Sequence, residues 1–256
     1  MRLRQLAAAF IVVAAPLLAG CFQTSTLVKL NPDGSGTLEQ TTTMTVKRLA
    51  ALQSLAADAG DKDKADLSDL FSADEARAAV NKLGSGVTFV SADKIDTPER
   101  KGIKAVYAFK DIRTLTLSEL DTPAGAEIGV TPNTLVDFTF TKLPNGHSLL
   151  TIKNDSDASL GNLQTEENPD MEAAAFAEMK VVFAIQVGHL VKTNVPYVND
   201  GTVTLLSVDV DQVLADRASL QKMRKASSVG GAKAALHGVK GIKVSLDPEL
   251  TIEFSK

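Results

Sequence analysis

The residue best suited to covalent chemistry is Cys21, the only cysteine among 256 residues. Its thiolate is a strong nucleophile, and it follows a leader with the layout of a secretory signal. Two arginines begin this leader, an uncharged run covers residues 6–18, and two small residues end it. As a helix the run would be about 20 Å long, too short for a bilayer core of about 30 Å. We therefore predict that residues 1–20 are a signal peptide and not a permanent membrane span.

Leu18, Ala19, Gly20 and Cys21 resemble the lipobox of bacterial lipoproteins, in which Leu, then Ala or Ser, then Gly or Ala precede a cysteine. The resemblance implies diacylglycerol transfer to the Cys21 sulfur, cleavage between Gly20 and Cys21, and acylation of the new amino group. Each buried acyl methylene contributes about 0.8 kcal/mol, so two or three chains would form a stable membrane anchor. Two alternatives remain, an ordinary signal peptide followed by an unrelated cysteine and a buried free thiol.

Phe22 is the residue after the cysteine. In proteobacterial lipoproteins an Asp at this position favours the inner membrane, so by resemblance Phe22 favours the outer membrane in a cell that has two. Residues 21–26 are predicted to be the lipidated cysteine and a short tether. Five extended residues reach at most about 17 Å, so we expect the folded body to lie close to the membrane.

The composition limits the classes of partner and site. Loss of the leader with its two arginines leaves 25 basic and 31 acidic residues, a formal charge of −6, and nucleic-acid binding usually requires a basic face. With Cys21 acylated, no thiol remains for a disulfide, a metal or redox chemistry. Tryptophan is absent and aromatic residues are only 5%, so stacking platforms for sugars or single-stranded nucleic acid are few. We predict neither a cofactor nor a nucleic-acid partner.

Residues 31–36, with the sequence Asn-Pro-Asp-Gly-Ser-Gly, are the second stretch with ligand-type side chains. Their composition is typical of a tight turn between two strands. Asn31, Asp33 and Ser35 also fit the first three ligand positions of a calcium loop, but Thr42 stands where such a loop has a bidentate Glu. A hairpin turn is the favoured interpretation, and a weak calcium site is the alternative.

No other motif predicts catalysis. The three histidines, His147, His189 and His237, lack zinc-ligand spacing, and the sequence contains neither a P-loop nor a Gly-x-Ser-x-Gly nucleophile elbow. The carboxylate pairs at 155/157 and 209/211 fit a solvated loop and a helix start. The prediction is therefore a protein that is not an enzyme.

The patterning of residues 27–256 predicts a single α+β domain, or two subdomains over 27–120 and 134–256. We expect antiparallel sheets built from β-hairpins, with helices packed on one face. Predicted helices lie at 47–57, after a capping box formed by Ser72 and Glu75, and after Asn168. Predicted strands lie at 27–46 (a hairpin), 87–95, 103–109, 134–142, 148–153 and 202–208.

Residues 180–195 give the strongest strand signal, with apolar side chains on both faces, and are predicted to form one central strand containing His189. The chain is predicted to end in a hairpin over 242–254. An early Asp-Gly-Ser-Gly turn after a lipobox resembles bacterial lipoproteins of the LppM-like kind, some of which carry a curved sheet over helices. This resemblance covers about the first forty residues and implies no catalytic residues.

These observations lead to one main hypothesis and two alternatives. The main hypothesis is a membrane-anchored lipoprotein of the cell envelope, in the periplasm or on the periplasmic side of the outer membrane, with a non-enzymatic binding or assembly role. Its partners would be the membrane, through palmitate or related acyl chains on Cys21, and an envelope protein or lipid ligand. The alternatives are a domain that binds lipids or amphiphiles in an apolar cavity and an envelope hydrolase.

Overall fold

The computed structural model describes residues 22–58, 71–117, 136–153, 177–216, 236, 238–245 and 247–256. Strand accounts for 54% of the structure and helix for 19%. Three residues, Gly20, Cys21 and His237, lie outside the described residues. The helix predicted after Asn168 also lies outside them.

The elements are numbered in chain order within the described residues. The strands are β1 (Phe22–Leu30), β2 (Gly36–Thr45), β3 (Thr88–Asp96), β4 (Arg100–Phe109), β5 (Asp137–Lys142), β6 (Ser148–Lys153), β7 (Lys180–Val187), β8 (His189–Thr193), β9 (Val198–Asn199), β10 (Thr202–Asp209), β11 (Ile242–Val244) and β12 (Glu249–Ser255). The helices are α1 (Val46–Asp58), α2 (Ala73–Ala79) and α3 (Val210–Ala215), and short 3-10 turns cover Val80–Lys82 and Ile112–Thr114.

The large sheet has eight strands in the order β11-β10-β7-β1-β2-β4-β3, with β9 paired to β10. β1 and β7 run parallel, with Thr24 opposite Val181, whereas the other neighbouring strands are antiparallel. Apolar side chains on alternate residues of β1, such as Val28 and Leu30, are buried on the inner face. The first strand of the described chain therefore lies inside a mixed sheet and not at its edge.

The second sheet has the order β5-β6-β12-β8 and is antiparallel throughout. Its inward side chains and those of the large sheet belong to one apolar cluster. Members with no exposed surface include Val28, Leu38, Leu150, Ile185, Ile252 and Phe254. Two sheets that share a core in this way form a two-layer β structure.

The predicted α+β class, with antiparallel sheets and helices on one face, is wrong. The protein is mostly β, its large sheet is mixed, and the described helices are short. The physical reason is that a second sheet covers much of the large sheet's apolar inner face, a role that the prediction gave to helices. The hydrophobic alternation along a strand predicts that one face is buried but does not identify what buries it.

Several local predictions are confirmed. The turn at 31–36 joins β1 to β2, and β5 and β6 form the second predicted hairpin. The Ser72 hydroxyl caps α2 by accepting a hydrogen bond from the Glu75 amide at 3.1 Å. α2 then packs on the large sheet, where the buried Tyr107 hydroxyl donates to the Ala76 carbonyl at 2.9 Å.

Three predictions about extended segments are wrong. The expected tether at 22–26 is part of β1, paired on one side with β2 and on the other with β7. The expected strand at 180–195 is two strands in different sheets, because the chain leaves the large sheet at Gly188 and enters the small one at His189. The expected final hairpin does not form, since β11 pairs with β10 and β12 pairs with β6 and β8.

Glu39 forms a small ion cluster with two lysines on neighbouring strands of the large sheet. Its two carboxylate oxygens lie 2.5 Å from Lys29 Nζ and 2.9 Å from Lys104 Nζ, and its side chain is only 16% exposed. The hydrogen bond from Lys29, aided by the one from Lys104, lowers the pKa of Glu39 below its ordinary value of 4.5, against the opposing effect of burial.

We expect Glu39→Gln to lower Tm at neutral pH and to lose this effect in acid. Because the folded pKa is lowered, the contribution of Glu39 is complete above pH 4.5 and disappears as the pH falls through the folded pKa. Thermal unfolding of both proteins between about pH 7 and about pH 3 measures the difference. A Tm difference that stayed constant over this range would contradict the prediction.

Candidate functional site

The two ends of the large sheet carry different sets of polar residues. We call one the Phe22 end, where Phe22, Thr45, Arg100, Lys180 and Asp209 begin or end their strands. We call the other the turn end, where residues 31–36 join β1 to β2. Consecutive Cα atoms are about 3.8 Å apart, so any group carried by Cys21 is attached at the Phe22 end.

Phe22 is held in a small apolar cluster next to the point of attachment. It is 5% exposed and packs edge-on against Phe71, with ring centroids 6.3 Å apart. Met44 completes the buried part of the cluster, and Leu49 of α1 and Ile103 of β4 pack against it. The chain is therefore fixed within the fold one residue after Cys21.

A polar network lies beside this cluster, on the other face of the sheet. Arg100 Nε donates to Thr43 Oγ1 at 3.0 Å, and Thr45 Oγ1 donates to Glu178 Oε2 at 2.9 Å. Burial lowers the pKa of Arg100, and the nearby charge of Glu178 opposes this shift. Glu178 has a φ of 67°, and its amide donates to Asp211 Oδ1 at 2.8 Å. The network fixes the loop that leads into β7.

A cleft of about 560 Å³ opens at the same end, over β7, β10 and the loop before β11. We call it the lysine cleft, because three of its four charged side chains are Lys180, Lys240 and Lys243. The fourth is Asp209, whose Oδ2 is 3.6 Å from Lys180 Nζ. The lining charges therefore sum to +2, whereas the whole chain is formally −4.

The strand register explains why the lysines lie together. Lys180 is opposite Asp209 in the β7–β10 pair, and Lys243 is opposite Ser207 in the β10–β11 pair. Ser207 and Asp209 are two residues apart on β10, so Lys180 and Lys243 lie on the same face of the sheet. Gly241 lies where the loop before β11 comes close to the backbone of Asp209. It has a φ of 86°, and a Cβ there would be 2.6 Å from the Asp209 carbonyl oxygen.

The single carboxylate of the cleft is already engaged. Asp209 caps α3, accepting hydrogen bonds from the Gln212 amide at 3.3 Å and from Gln212 Nε2 at 2.9 Å. Lys240 and Lys243 are exposed, and neither forms an ion pair within the described residues. Two ammonium groups thus remain for an external anion, and this is the chemistry that the cleft can provide.

The turn end contains the residues of the calcium hypothesis, and there they bond to one another. The Ser35 amide and hydroxyl donate to Asp33 Oδ1 at 3.0 and 2.6 Å, and Asn31 Nδ2 donates to Ser35 Oγ at 3.1 Å. These bonds from Ser35 lower the pKa of Asp33. The described residues contain no group of three His, Cys, Asp or Glu arranged for a metal. The calcium site stays a prediction, and the observed structure at these residues is a hairpin turn.

A histidine–carboxylate pair also lies near the turn end. His147 Nδ1 is 2.7 Å from Glu253 Oε1, which connects the β5–β6 hairpin to β12, and this hydrogen bond lowers the pKa of Glu253. The neighbouring hydroxyl of Ser148 is fully buried and donates to the Pro32 carbonyl at 2.7 Å. The pair therefore links two elements of the fold. The Ser148 hydroxyl donates its hydrogen to Pro32 and not to His147. His189 is exposed on β8.

Among the candidate residues of the sequence, Gly20 and Cys21 lie outside the described part, and the lysine cleft was missed. Its lysines are up to 63 positions apart and show no motif. In a chain of net negative charge they are inconspicuous, and only the pairing of β7, β10 and β11 brings them together.

No protein-family model and no curated protein matches the chain. One structural neighbour is the folded domain of LppM from Mycobacterium tuberculosis, with 12% identity, a TM-score of 0.34, and coverage of 75% of this chain and 84% of that one. Another is an M1 zinc metallopeptidase from Deinococcus radiodurans, with 10% identity, a TM-score of 0.20, and coverage of 74% and 40%.

The LppM neighbour agrees in part with the resemblance noted from the sequence. One further finding concerns the membrane. Within the described residues, none of the helices is both long enough and apolar enough to span a bilayer.

Proposed function

We propose that this protein is a lipoprotein of the bacterial cell envelope, acylated on Cys21, with a non-enzymatic binding or assembly role at the membrane surface. The observation that carries the proposal is the sequence Leu18-Ala19-Gly20-Cys21 at the end of an apolar leader. In a cell with two membranes, Phe22 at the position after the cysteine favours the outer one.

The described structure supports this arrangement through β1. A lipidated Cys21 would be joined directly to Phe22, which is buried and belongs to a strand paired on both sides. The acyl chains would then be attached to the rigid sheet with no flexible spacer. Such an anchor holds the Phe22 end against the membrane and leaves the turn end facing away from it.

A binding surface is favoured over an internal lipid cavity. Where the two sheets face each other, side chains such as Leu150, Ile185 and Phe254 have no exposed surface, so the described part of this space is filled. Native mass spectrometry of gently purified protein distinguishes binding at the surface from lipid binding in an internal cavity. A reproducibly bound amphiphile would favour the cavity. Crosslinking of intact envelopes should recover a protein partner if the role is assembly.

Cys21→Ala tests the anchor itself. We expect the wild-type chain to incorporate an alkyne analogue of palmitate and the variant to incorporate none, because the thiol is the proposed site of attachment. Mass spectrometry of the mature N-terminus should show Cys21 as the first residue, with a diacylglyceryl group on its sulfur. The exposed-residue variant Lys110→Ala keeps Cys21 and should label normally. A free Cys21 thiol in the wild-type protein would contradict the proposal.

A further inference from the structure

We propose that the lysine cleft binds the phosphate-bearing headgroups of anionic lipids in the membrane that holds the anchor. The proposal rests on the proposed function, because acylation of Cys21 would bring this end of the sheet to the bilayer. Electrostatic docking of this kind would fix how the domain is rotated about its anchor, which attachment at Cys21 alone does not determine.

The position of the cleft relative to Cys21 is the first argument. Lys180 is in register with Gln23, two residues after Cys21, on the strand adjacent to β1. Neighbouring strands are about 4.8 Å apart, so β10 and β11 lie within about 15 Å of β1 across the sheet. A group anchored at Cys21 would therefore hold the cleft near the same lipid headgroups.

The charge of the cleft is the second argument. The chain from Cys21 onward, with 25 basic and 31 acidic residues, is repelled overall by an anionic surface, so a local +2 in the cleft at the end nearest Cys21 gives the cleft the opposite tendency. Lys240 and Lys243 are exposed and have no carboxylate partner within the described residues. A lysine ammonium is a compact point charge that suits a phosphate oxygen. Near an anionic leaflet each lysine favours the bound orientation about fivefold.

The test measures docking independently of natural acylation. Because Cys21 is the only cysteine, the chain from Cys21 onward can be coupled to a maleimide lipid in vesicles. One set of vesicles is pure phosphatidylcholine, and the other contains about one quarter phosphatidylglycerol, which supplies the negative surface potential. A water-soluble acetylating reagent then reports the accessibility of each lysine, which is read by mass spectrometry.

We expect Lys240 and Lys243 to be acetylated about fivefold more slowly on the anionic vesicles, and high salt to remove this protection. Lys110 is the matched control. It is exposed and follows the end of β4 at the turn end of the same sheet, about 33 Å along the strand from Arg100 at the Phe22 end, so its rate should not change. In the double variant Lys240→Gln/Lys243→Gln, protection of Lys180 should fall.

Equal acetylation of Lys240 and Lys243 on both kinds of vesicle would overturn the proposal. So would protection by inorganic phosphate on phosphatidylcholine vesicles that equals the protection given by phosphatidylglycerol, because the cleft would then be a site for a free anion. Neither result depends on whether cells acylate Cys21, which the palmitate labelling tests separately.

Discussion

Phe254→Ala is expected to lower the free energy of unfolding by about 3–5 kcal/mol, the usual range for a large aromatic side chain removed from a core. Phe254 has no exposed surface and lies on β12, between β6 and β8. Its ring packs against Phe140, with centroids 6.4 Å apart. Equilibrium denaturation measures the change. A loss below about 1 kcal/mol would contradict the prediction and show that neighbouring side chains fill the space left by the ring.

Val90→Ala is the matched control, since Val90 is 55% exposed and its truncation should change stability by less than about 0.5 kcal/mol.

Ile185→Ala tests whether the two sheets unfold together. Ile185 belongs to the large sheet but to the same apolar cluster as Phe254. A shared core should make each variant lower one common transition. Two separate transitions would instead show that the two sheets unfold independently.

Gly84→Ala is expected to destabilise the protein by about 3 kcal/mol, from a strained backbone and a direct overlap together. Gly84 has a φ of 112°, and a Cβ built there would be 2.0 Å from the Thr114 carbonyl oxygen. Gly84 forms a bridge with Leu115, which is buried in the main core. To remove the overlap, the turn after α2 would have to move away from the segment after β4, which would break this bridge.

Gly86→Ala provides the comparison for this strain. Gly86 also has a positive φ, 77°, but a Cβ there would meet no atom within 4 Å. Only the conformational cost should remain, about 1–2 kcal/mol. Denaturation curves of the two variants should differ by at least about 1 kcal/mol. Equal losses would mean that the contact with Thr114 contributes nothing.

Features set by neighbouring residues could be predicted from the sequence. The turn at 31–36 and the Ser72 cap depend on residues within a few positions of each other, and both form as expected. The lipobox is equally local. Cys21 lies outside the described part of the chain, and its acylation stays a prediction from the sequence.

Features set by distant residues could not be predicted. Thr24 and Val181 are 157 positions apart, and no pattern in either strand identifies the other as its partner. The apolar run at 180–195 looks continuous because Leu190 and Val195 pack against the same core as β7 but from the other sheet, although Val191 between them is 43% exposed. The lysine cleft is hidden for the same reason, since its charges are brought together by the pairing of β7, β10 and β11.

The interior position of β1 has a consequence for the order of folding. β1 can form a hairpin with β2 as soon as both segments are free to fold, whereas its other edge needs β7, more than 140 residues later. Contacts of such long sequence separation form slowly. Until β7 arrives, β1 exposes the unpaired amides and carbonyls of a strand edge, which can pair with other chains. We expect aggregation to be most frequent in this period.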